Sequence, residues 1–302
     1  MKLTRYSREP VLTPIPEHDW ERAAVFNAAA VYEDGRYHMI YRATNIGGHE
    51  RFGDYINNLG YAWSDDIVNW HRNPEPILSN DVPQELRGPE DPRIVKLDGL
   101  FYMTYTGFGG RFPGDHRICL AVSEDLQTWE RRGVVLDEEN KNAAFFPEKF
   151  GDHYLFLHRR GVDIWIADTE DFKNYHNHTD ILKPIPGTWE SRKVGIAGPP
   201  VRHPEGWLLI YHAVDDLWQY RLGAVLLDGD DPRRVLARFD QPIIESEEEW
   251  ERKGPVPNVI FSCATLDRAD RYDIIYAGAD SMIGAAYIPK SDVVFEKEHW
   301  LV

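Results

Sequence analysis

Glu90 and Asp91 stand side by side in RGPEDPRIVKLDGLFYMTYTGF, residues 87–108, with Pro92 and Arg93 directly after them. A carboxyl pair at the lip of a strand reads either as a surface turn with a local ion pair or as acid–base machinery. The cations elsewhere in the chain bear on that choice. Asn27 in VFNAAAV, Arg42 in MIYRAT, and Lys141 and Asn142 in KNAAFFPE all fall just before or inside hairpin patterns. So do His158, Arg159 and Arg160 in FLHRR, Lys193 in ESRKVGIAGPP, Arg202 and His212 in VRHPEGWLLIYH, and Asp280 in YAGAD. Singly, each basic residue reads as a surface or salt-bridge residue. Their recurrence at equivalent places is the stronger signal. Glycoside hydrolysis usually needs two carboxyl groups, an acid for the leaving oxygen and a base or nucleophile. Inorganic phosphate is already an anion, needs no base, and would be repelled by a second carboxylate. Arg, Lys and His grip it instead through charge-assisted bonds. One acid within a nest of cations therefore suits phosphate attack on an anomeric carbon, which yields a sugar 1-phosphate.

The elements that must position these residues repeat along the chain. VYEDGRYHMIYRAT from Val31, VKLDGLFYMTYTGF from Val95, EKFGDHYLFLHRR from Glu148, VRHPEGWLLIYHAV from Val201 and DRADRYDIIYAGAD from Asp267 share one pattern. Each has a short apolar stretch, a polar Gly- or Asp-containing turn, and an alternating strand, the signature of a hairpin. The turn centres lie about 50 to 65 residues apart, a spacing that fits propeller blades. A second element follows in the first three units: LGYAWSDDIVNW, ICLAVSEDLQTW and IWIADTEDFKNY. There a strand runs into Ser/Thr-x-Asp, whose side chains can fix a corner, with an aromatic four residues after the acid. These Asp–aromatic pairs read as structural. Five units fill the chain, so the expected fold is all-β, a single five-bladed β-propeller over residues 1–302. A β-sandwich or a pair of small barrels is the alternative. Residues 1–25 are expected to form a short extension, with a helix in IPEHDWERAAVFNAAA.

Composition sets the outer bounds. The net charge of −16 argues against nucleic acid or an anionic membrane as a partner, since both are polyanions. Two cysteines, Cys119 and Cys263, make no disulfide framework. No apolar run approaches a membrane span and the start lacks a signal-peptide core. A soluble cytoplasmic protein is expected, with small-molecule substrates and an oligomeric state left open, a homo-oligomer included. Ten tryptophans hint at sugar stacking, although many would fill a β core.

The ordered motifs GPEDPRI, NAAFFPE, HRR, GIAGPP, GWLLIYH, RLGAVLLD and YAGAD, spread between Asn27 and Asp280, resemble those of glycoside hydrolase family 130. That family comprises five-bladed propellers, mannoside phosphorylases and some mannosidases. The resemblance implies inverting phosphorolysis of β-mannosides, releasing α-mannose 1-phosphate. Asp91 matches the catalytic acid, whose proton is passed through the mannose 3-hydroxyl. Asn142, Arg159 and His212 match phosphate positions. Lys141 stands where arginine is common and Arg202 where lysine is, swaps that keep charge but alter the fork geometry. Asn27, Arg42 and Asp280 match the mannose subsite, and Glu90, Arg93 and Lys193 join them as expected substrate contacts. Hydrolase members lose the basic set that this chain keeps, so a phosphorylase is expected. An inverting β-mannosidase and a non-catalytic sugar-binding propeller are the alternatives. β-1,2-linked mannobiose or short oligomannosides are favoured over β-1,4.

The Gly-rich segments NIGGHERFGDYINNLG and TGFGGRFPGDHR are expected to line the pocket rim, cover the acceptor sugar and set the linkage. The second lacks the Gly-Lys-Ser/Thr ending of a phosphate loop. His176 and His178 in HNHTD have no second cluster at ligand spacing and read as a solvated loop. No metal and no cofactor beyond inorganic phosphate is expected.

Overall fold

Asp34-Gly35 and Asp98-Gly99 both take positive φ, 49° and 81° in the first pair and 50° and 85° in the second. Two such residues in a row form the tight turn whose twist matches antiparallel strands. Hairpins of this kind organise the whole computed structural model, which describes residues 1–46, 55–296 and 299–301. A short strand β1 (Thr4–Arg5) comes first. The first blade is β2 (Ala24–Glu33), β3 (Arg36–Thr44), β4 (Asn57–Ser64) and β5 (His71–Arg72). The second is β6 (Pro89–Leu97), β7 (Leu100–Phe108), β8 (His116–Ser123) and β9 (Glu130–Leu136). The third is β10 (Lys141–Phe150), β11 (His153–Arg160), β12 (Asp163–Thr169) and β13 (His176–Leu182). The fourth is β14 (Lys193–Ile196), β15 (Val201–His203), β16 (Gly206–Val214), β17 (Tyr220–Leu227) and β18 (Val235–Arg238). A one-turn helix α1 (Glu249–Arg252) precedes the fifth, β19 (Ile260–Asp267), β20 (Arg271–Gly278) and β21 (Met282–Pro289).

Each sheet is an antiparallel meander in chain order, and β1 adds to the outer edge of β21, so the two ends of the chain share the fifth blade. The result is a five-bladed β-propeller. The separate sheets exclude a sandwich or paired barrels.

The core is divided among the blade interfaces. Ala143 and Phe145 of β10 pack against Val95 and Leu97 of the second blade, while Ala144 and Phe146 pack against Val194 and Ile196 of the fourth. Alternation with period two thus feeds two different interfaces from one strand, and both faces of the blade are dry. The same division holds around the ring. Apolar burial therefore lies between blades, and the axis is left to polar groups.

The outer architecture repeats in detail. Asp66, Asp125 and Asp171 each accept two backbone N–H bonds at 2.7–3.0 Å from the residues two and three further on. Trp70 and Trp129 then donate their indole N–H to the carbonyls of Ile67 and Leu126, and the Tyr175 hydroxyl donates to that of Phe172.

A second repeat went unrecognised in the sequence. Trp20-Glu21, Trp189-Glu190 and Trp250-Glu251 each place a buried carboxylate that accepts from a tyrosine on the second strand and an arginine on the outermost one. Glu85 does the same with Tyr105 and Arg131. In the third blade the tyrosine position is His158, which bonds His178 and Asn140 instead.

The first of these anchors explains why the expected helix is absent. Residues 16–23 form turns rather than a helix. The buried Glu21 carboxylate is held by His18, Tyr41 and Arg72, and that three-way tie fixes the segment across the blade. The alanines that suggested a helix continue into β2, where they are buried between blades.

Candidate active site

Every innermost strand is interrupted near its start. In β2, Asn27 and Ala28 oppose one partner residue, as do Asp91 and Pro92 in β6 and Asn142 and Ala143 in β10. Asn27, Asp91 and Asn142 all adopt left-handed backbone, with φ of 47°, 52° and 63°. Asn and Asp tolerate that region better than other non-glycine residues, and a bulge re-aims the side chain it carries. Three short polar side chains are thereby turned towards one axial cavity. In the fourth blade the interruption is the Ala197–Pro200 break between β14 and β15, and in the fifth it is Cys263.

The cavity has two chambers. The deep one, of about 180 Å³, is lined by Asn27, Asp91, Asn142 and Tyr220, with Val259 and Phe261 as an apolar wall. The outer one, of about 600 Å³, adds Phe26, Thr44, Tyr55, His116, Glu139 and Asn140. Arg42, Lys141, Arg159, Lys193 and Asp280 border both.

Asp91 is 5 % exposed. Its Oδ1 accepts from Asn27 Nδ2 at 2.8 Å and Arg42 Nη1 at 3.0 Å, and no hydrogen bond reaches its Oδ2 among the described residues. Burial works against its charge, but Arg42 and Lys141, with help from Asn27 and Arg93, outweigh that and hold its pKa down at about 2. Glu90 accepts from Arg42 at 2.9 Å, Asn57 at 3.0 Å and Lys141 at 2.8 Å. It stands behind the wall, lining neither chamber, and holds the two cations in place. Arg93 is likewise withdrawn. Its guanidinium donates to the carbonyls of Asp91, Ile196 and Ala197 and to Asn142 Oδ1, pinning the second, third and fourth blades together. Neither residue is placed for the substrate contact expected of it, because each is consumed by buried partners.

A different set of donors is left without an acid. The Arg159 guanidinium has no hydrogen-bond or ion-pair partner among the described residues. Among the described residues Lys193 Nζ hydrogen-bonds only the Tyr220 hydroxyl, at 3.0 Å. Burial, then Arg159 and Lys141, push the Lys193 pKa down to about 7. His212 lies fully buried against Phe261, on the wall of the deep chamber, with no hydrogen bond to either ring nitrogen among the described residues, and its pKa is driven well below the usual imidazole range by burial and by Lys193 and Arg159. Gly195 is required above it, since a Cβ there would collide with the His212 ring and crowd Asn142 Nδ2. Together these groups form a desolvated cradle of positive charge and N–H donors that no carboxylate hydrogen-bonds among the described residues.

Lys141, expected in the phosphate set, borders the cavity but is committed to Glu90. Arg202 is not brought to the site at all. It pairs with Glu148 and lies over the Trp207 ring on a half-exposed surface. The break after Ile196 changes strand before Arg202, so β15 carries it away from the axis. Asp280 sits half-buried on the cavity wall. Burial lifts its pKa to about 6, with Arg42 opposing and Asp91 adding to the rise.

Sequence reasoning missed Tyr220, Tyr55, His116 and Asn57. Tyr220 directly precedes the motif RLGAVLLD, so its neighbours could have flagged it. His116, stacked on Phe108 at 4.3 Å between ring centroids, is the part of TGFGGRFPGDHR that reaches the outer chamber. Burial, then Lys141, hold its pKa near 4. Half of the other Gly-rich segment, residues 47–54, lies outside the described residues; Ile46 and Tyr55 on either side line the outer chamber. Among the described residues no cluster of His, Cys, Asp or Glu is arranged to hold a metal ion, and no helix is long and apolar enough to cross a membrane. His176 pairs with Glu170, and His178 bonds His158.

The sequence profile described as beta-1,4-mannooligosaccharide phosphorylase in glycoside hydrolase family 130 matches residues 4–296. A 1,2-beta-oligomannan phosphorylase of Thermoanaerobacter sp. (strain X514) is 57% identical over 295 residues, covering 98% of this chain and 100% of that one. A beta-1,2-mannobiose phosphorylase of the same organism is 49% identical over 300 residues, covering 97% and 99%. Among solved structures, the beta-1,2-mannobiose phosphorylase of Listeria innocua in complex with beta-1,2-mannobiose superposes with a TM-score of 0.88 at 23% identity, covering 97% of this chain and 98% of that one. With a match spanning nearly every residue from β1 to the end of the fifth blade, the chain belongs to glycoside hydrolase family 130.

Proposed function

We infer that the protein is an inverting β-mannoside phosphorylase acting on β-1,2-linked mannobiose or short oligomannosides, with inorganic phosphate as co-substrate. The observation that carries this reading is that Arg159 and Lys193, neither with an acid partner among the described residues, share the deep chamber with Asp91, while His212 lies buried against its Phe261 wall. The names of the relatives at 57% and 49% identity support the substrate class and the β-1,2 linkage.

Phosphate is held by Arg159 and Lys193, with Asn142 Nδ2 and the His212 ring at its inner side. One of its oxygens attacks the anomeric carbon from the α face while the bond from that carbon to the glycosidic oxygen breaks. That oxygen takes a proton originating on Asp91 and relayed through the mannosyl 3-hydroxyl. The products are α-mannose 1-phosphate and the shortened acceptor. Asn27, Arg42 and Asp280 hold the mannosyl unit. The surrounding cations keep Asp91 ionised, which is the wrong state for an acid. Phosphate brings negative charge into a desolvated site and offsets the cations that depress that pKa, so anion binding loads the acid. Oδ2, which accepts no hydrogen bond among the described residues, is the oxygen assigned to carry the proton. The two buried free thiols fit the reducing setting of a cytoplasmic enzyme.

The test is β-1,2-mannobiose turnover with and without phosphate, followed by NMR of the anomeric signals. α-Mannose 1-phosphate should form only with phosphate. Equal cleavage in phosphate-free buffer would make the protein a mannosidase, and no turnover on any β-mannoside would favour a binding propeller. Reverse phosphorolysis from α-mannose 1-phosphate with a panel of acceptors then fixes the linkage.

A further inference from the structure

Of the ten tryptophans, nine are buried or half-buried, and Trp218 alone is exposed, at 52 %. Beside it Leu217 is 76 % exposed. They form the tip of the turn between β16 and β17. The turn is rigidly built: the Asp215 carboxylate accepts from the backbone N–H groups of Leu217 and Gln219 and is paired with Arg221 at 2.8 Å. Trp218 itself takes left-handed backbone, φ 61°, which a bulky residue adopts only against steric strain. One face of its indole is backed by the Arg192 guanidinium at 4.1 Å, and no hydrogen bond occupies its N–H among the described residues. A braced turn thus holds a strained aromatic outward.

Its position gives that aromatic a use. Arg192 precedes Lys193, and Tyr220 follows two residues after Trp218; both Lys193 and Tyr220 line the deep chamber. The turn is also tied to the far wall, since Tyr220 donates its backbone N–H to Asn258 and bridges to Val259. Leu217 and Trp218 line neither chamber. A disaccharide confined to the two chambers makes no contact with residues that line neither.

We propose that the Leu217–Trp218 turn is a distal sugar subsite that holds a unit of an oligomannoside beyond the first two residues. The inference rests on the β-mannoside phosphorylase reading above. A β-mannopyranosyl ring carries axial C–H bonds at C1, C3 and C5 on one face, a continuous apolar surface with outward positive hydrogens. That surface complements the negative face of an indole, and the free N–H can reach a ring hydroxyl. The Arg192 backing keeps the indole from rotating, so little freedom is lost on binding.

The test compares wild type, Trp218→Ala and Trp218→Phe on β-1,2-mannobiose and β-1,2-mannotetraose, with calorimetric binding of the tetraose in parallel and the oligomeric state checked by sedimentation. Trp218→Ala should raise KM for the tetraose by roughly tenfold, as expected for loss of one stacked ring. Its kcat and its constants for the biose should stay as in wild type, and Trp218→Phe should recover most of the loss. Equal effects on both substrates, or none on either, would overturn the subsite. A change in sedimentation without a selective KM change would make the turn a contact between copies of the chain and also overturn it. Wild type that binds tetraose through Trp218 but phosphorolyses neither sugar would sink the enzymatic reading while leaving the subsite standing.

Discussion

The outer corners and the inner bulges of the propeller both recur from blade to blade, yet they repeat different things. At the corners the residues themselves repeat: Ser64-x-Asp66, Ser123-x-Asp125 and Thr169-x-Asp171 make the same bonds, and Ile67, Leu126 and Phe172 share positive φ, of 67°, 66° and 59°, in the same place. At the bulges only the backbone repeats. Asn27, Asp91 and Asn142 share a conformation but carry an amide, an acid and an amide to three sides of one cavity. A shared backbone with unlike side chains builds an asymmetric site out of a symmetric fold. The anchors of Glu21, Glu85, Glu190 and Glu251 belong with the corners, and the third blade, which supplies Arg159, is the one where His158 and Asn140 replace that anchor.

Breaking the inner set should cost chemistry and breaking the outer set should cost stability. Asp91→Asn preserves the left-handed backbone and the size of the side chain while removing the acid. It should lower kcat by on the order of 10³-fold with an unchanged melting temperature, measured by mannose 1-phosphate release and calorimetry. Glu190→Ala leaves Arg238 and the Tyr211 hydroxyl without their buried acceptor. Denaturant unfolding should show a loss of roughly 3–5 kcal/mol, with kcat retained wherever the variant is folded.

Arg159→Met removes one unpaired cation and should raise KM for phosphate about 10- to 100-fold with little change in KM for mannobiose, in initial-rate kinetics with each substrate varied. A change confined to the sugar would contradict the placement of the anion. The depressed Lys193 pKa predicts a pH dependence of the same step. Lys193 is charged below about 7 and neutral above it, so phosphate must recapture a proton as pH rises. KM for phosphate should climb above that pH, by at most about tenfold per unit, and Lys193→Gln should flatten the profile. The smallest effect belongs to a corner: Asp125→Ala loses two N–H acceptors on an exposed turn and should reduce stability by about 1 kcal/mol without altering either KM.

The hairpins and corners were legible in the sequence because their signals are local. Asp-Gly at a turn and Ser-x-Asp at a corner act within four residues, and the strand alternation between them is a short-range pattern. The bulge residues were found as residue types, but their conformation was not visible. The Trp-Glu anchors were missed because Glu21, Tyr41 and Arg72 join only across the sheet, although the recurring Trp-Glu pair was there to be read.

By itself the sequence determined the strand repeat, the number of blades and the pool of charged residues available at their inner ends. Only the tertiary structure decided how those charges are shared. Arg42 and Lys141 are matched to Glu90 and Asp91, Arg93 is spent on carbonyls, and Arg202 is turned out to Glu148, while Arg159 and Lys193 pair with no acid among the described residues. Which cation neutralises which carboxylate depends on separation and desolvation in three dimensions, and both are set by the bulges and by the order in which the blades close around the axis.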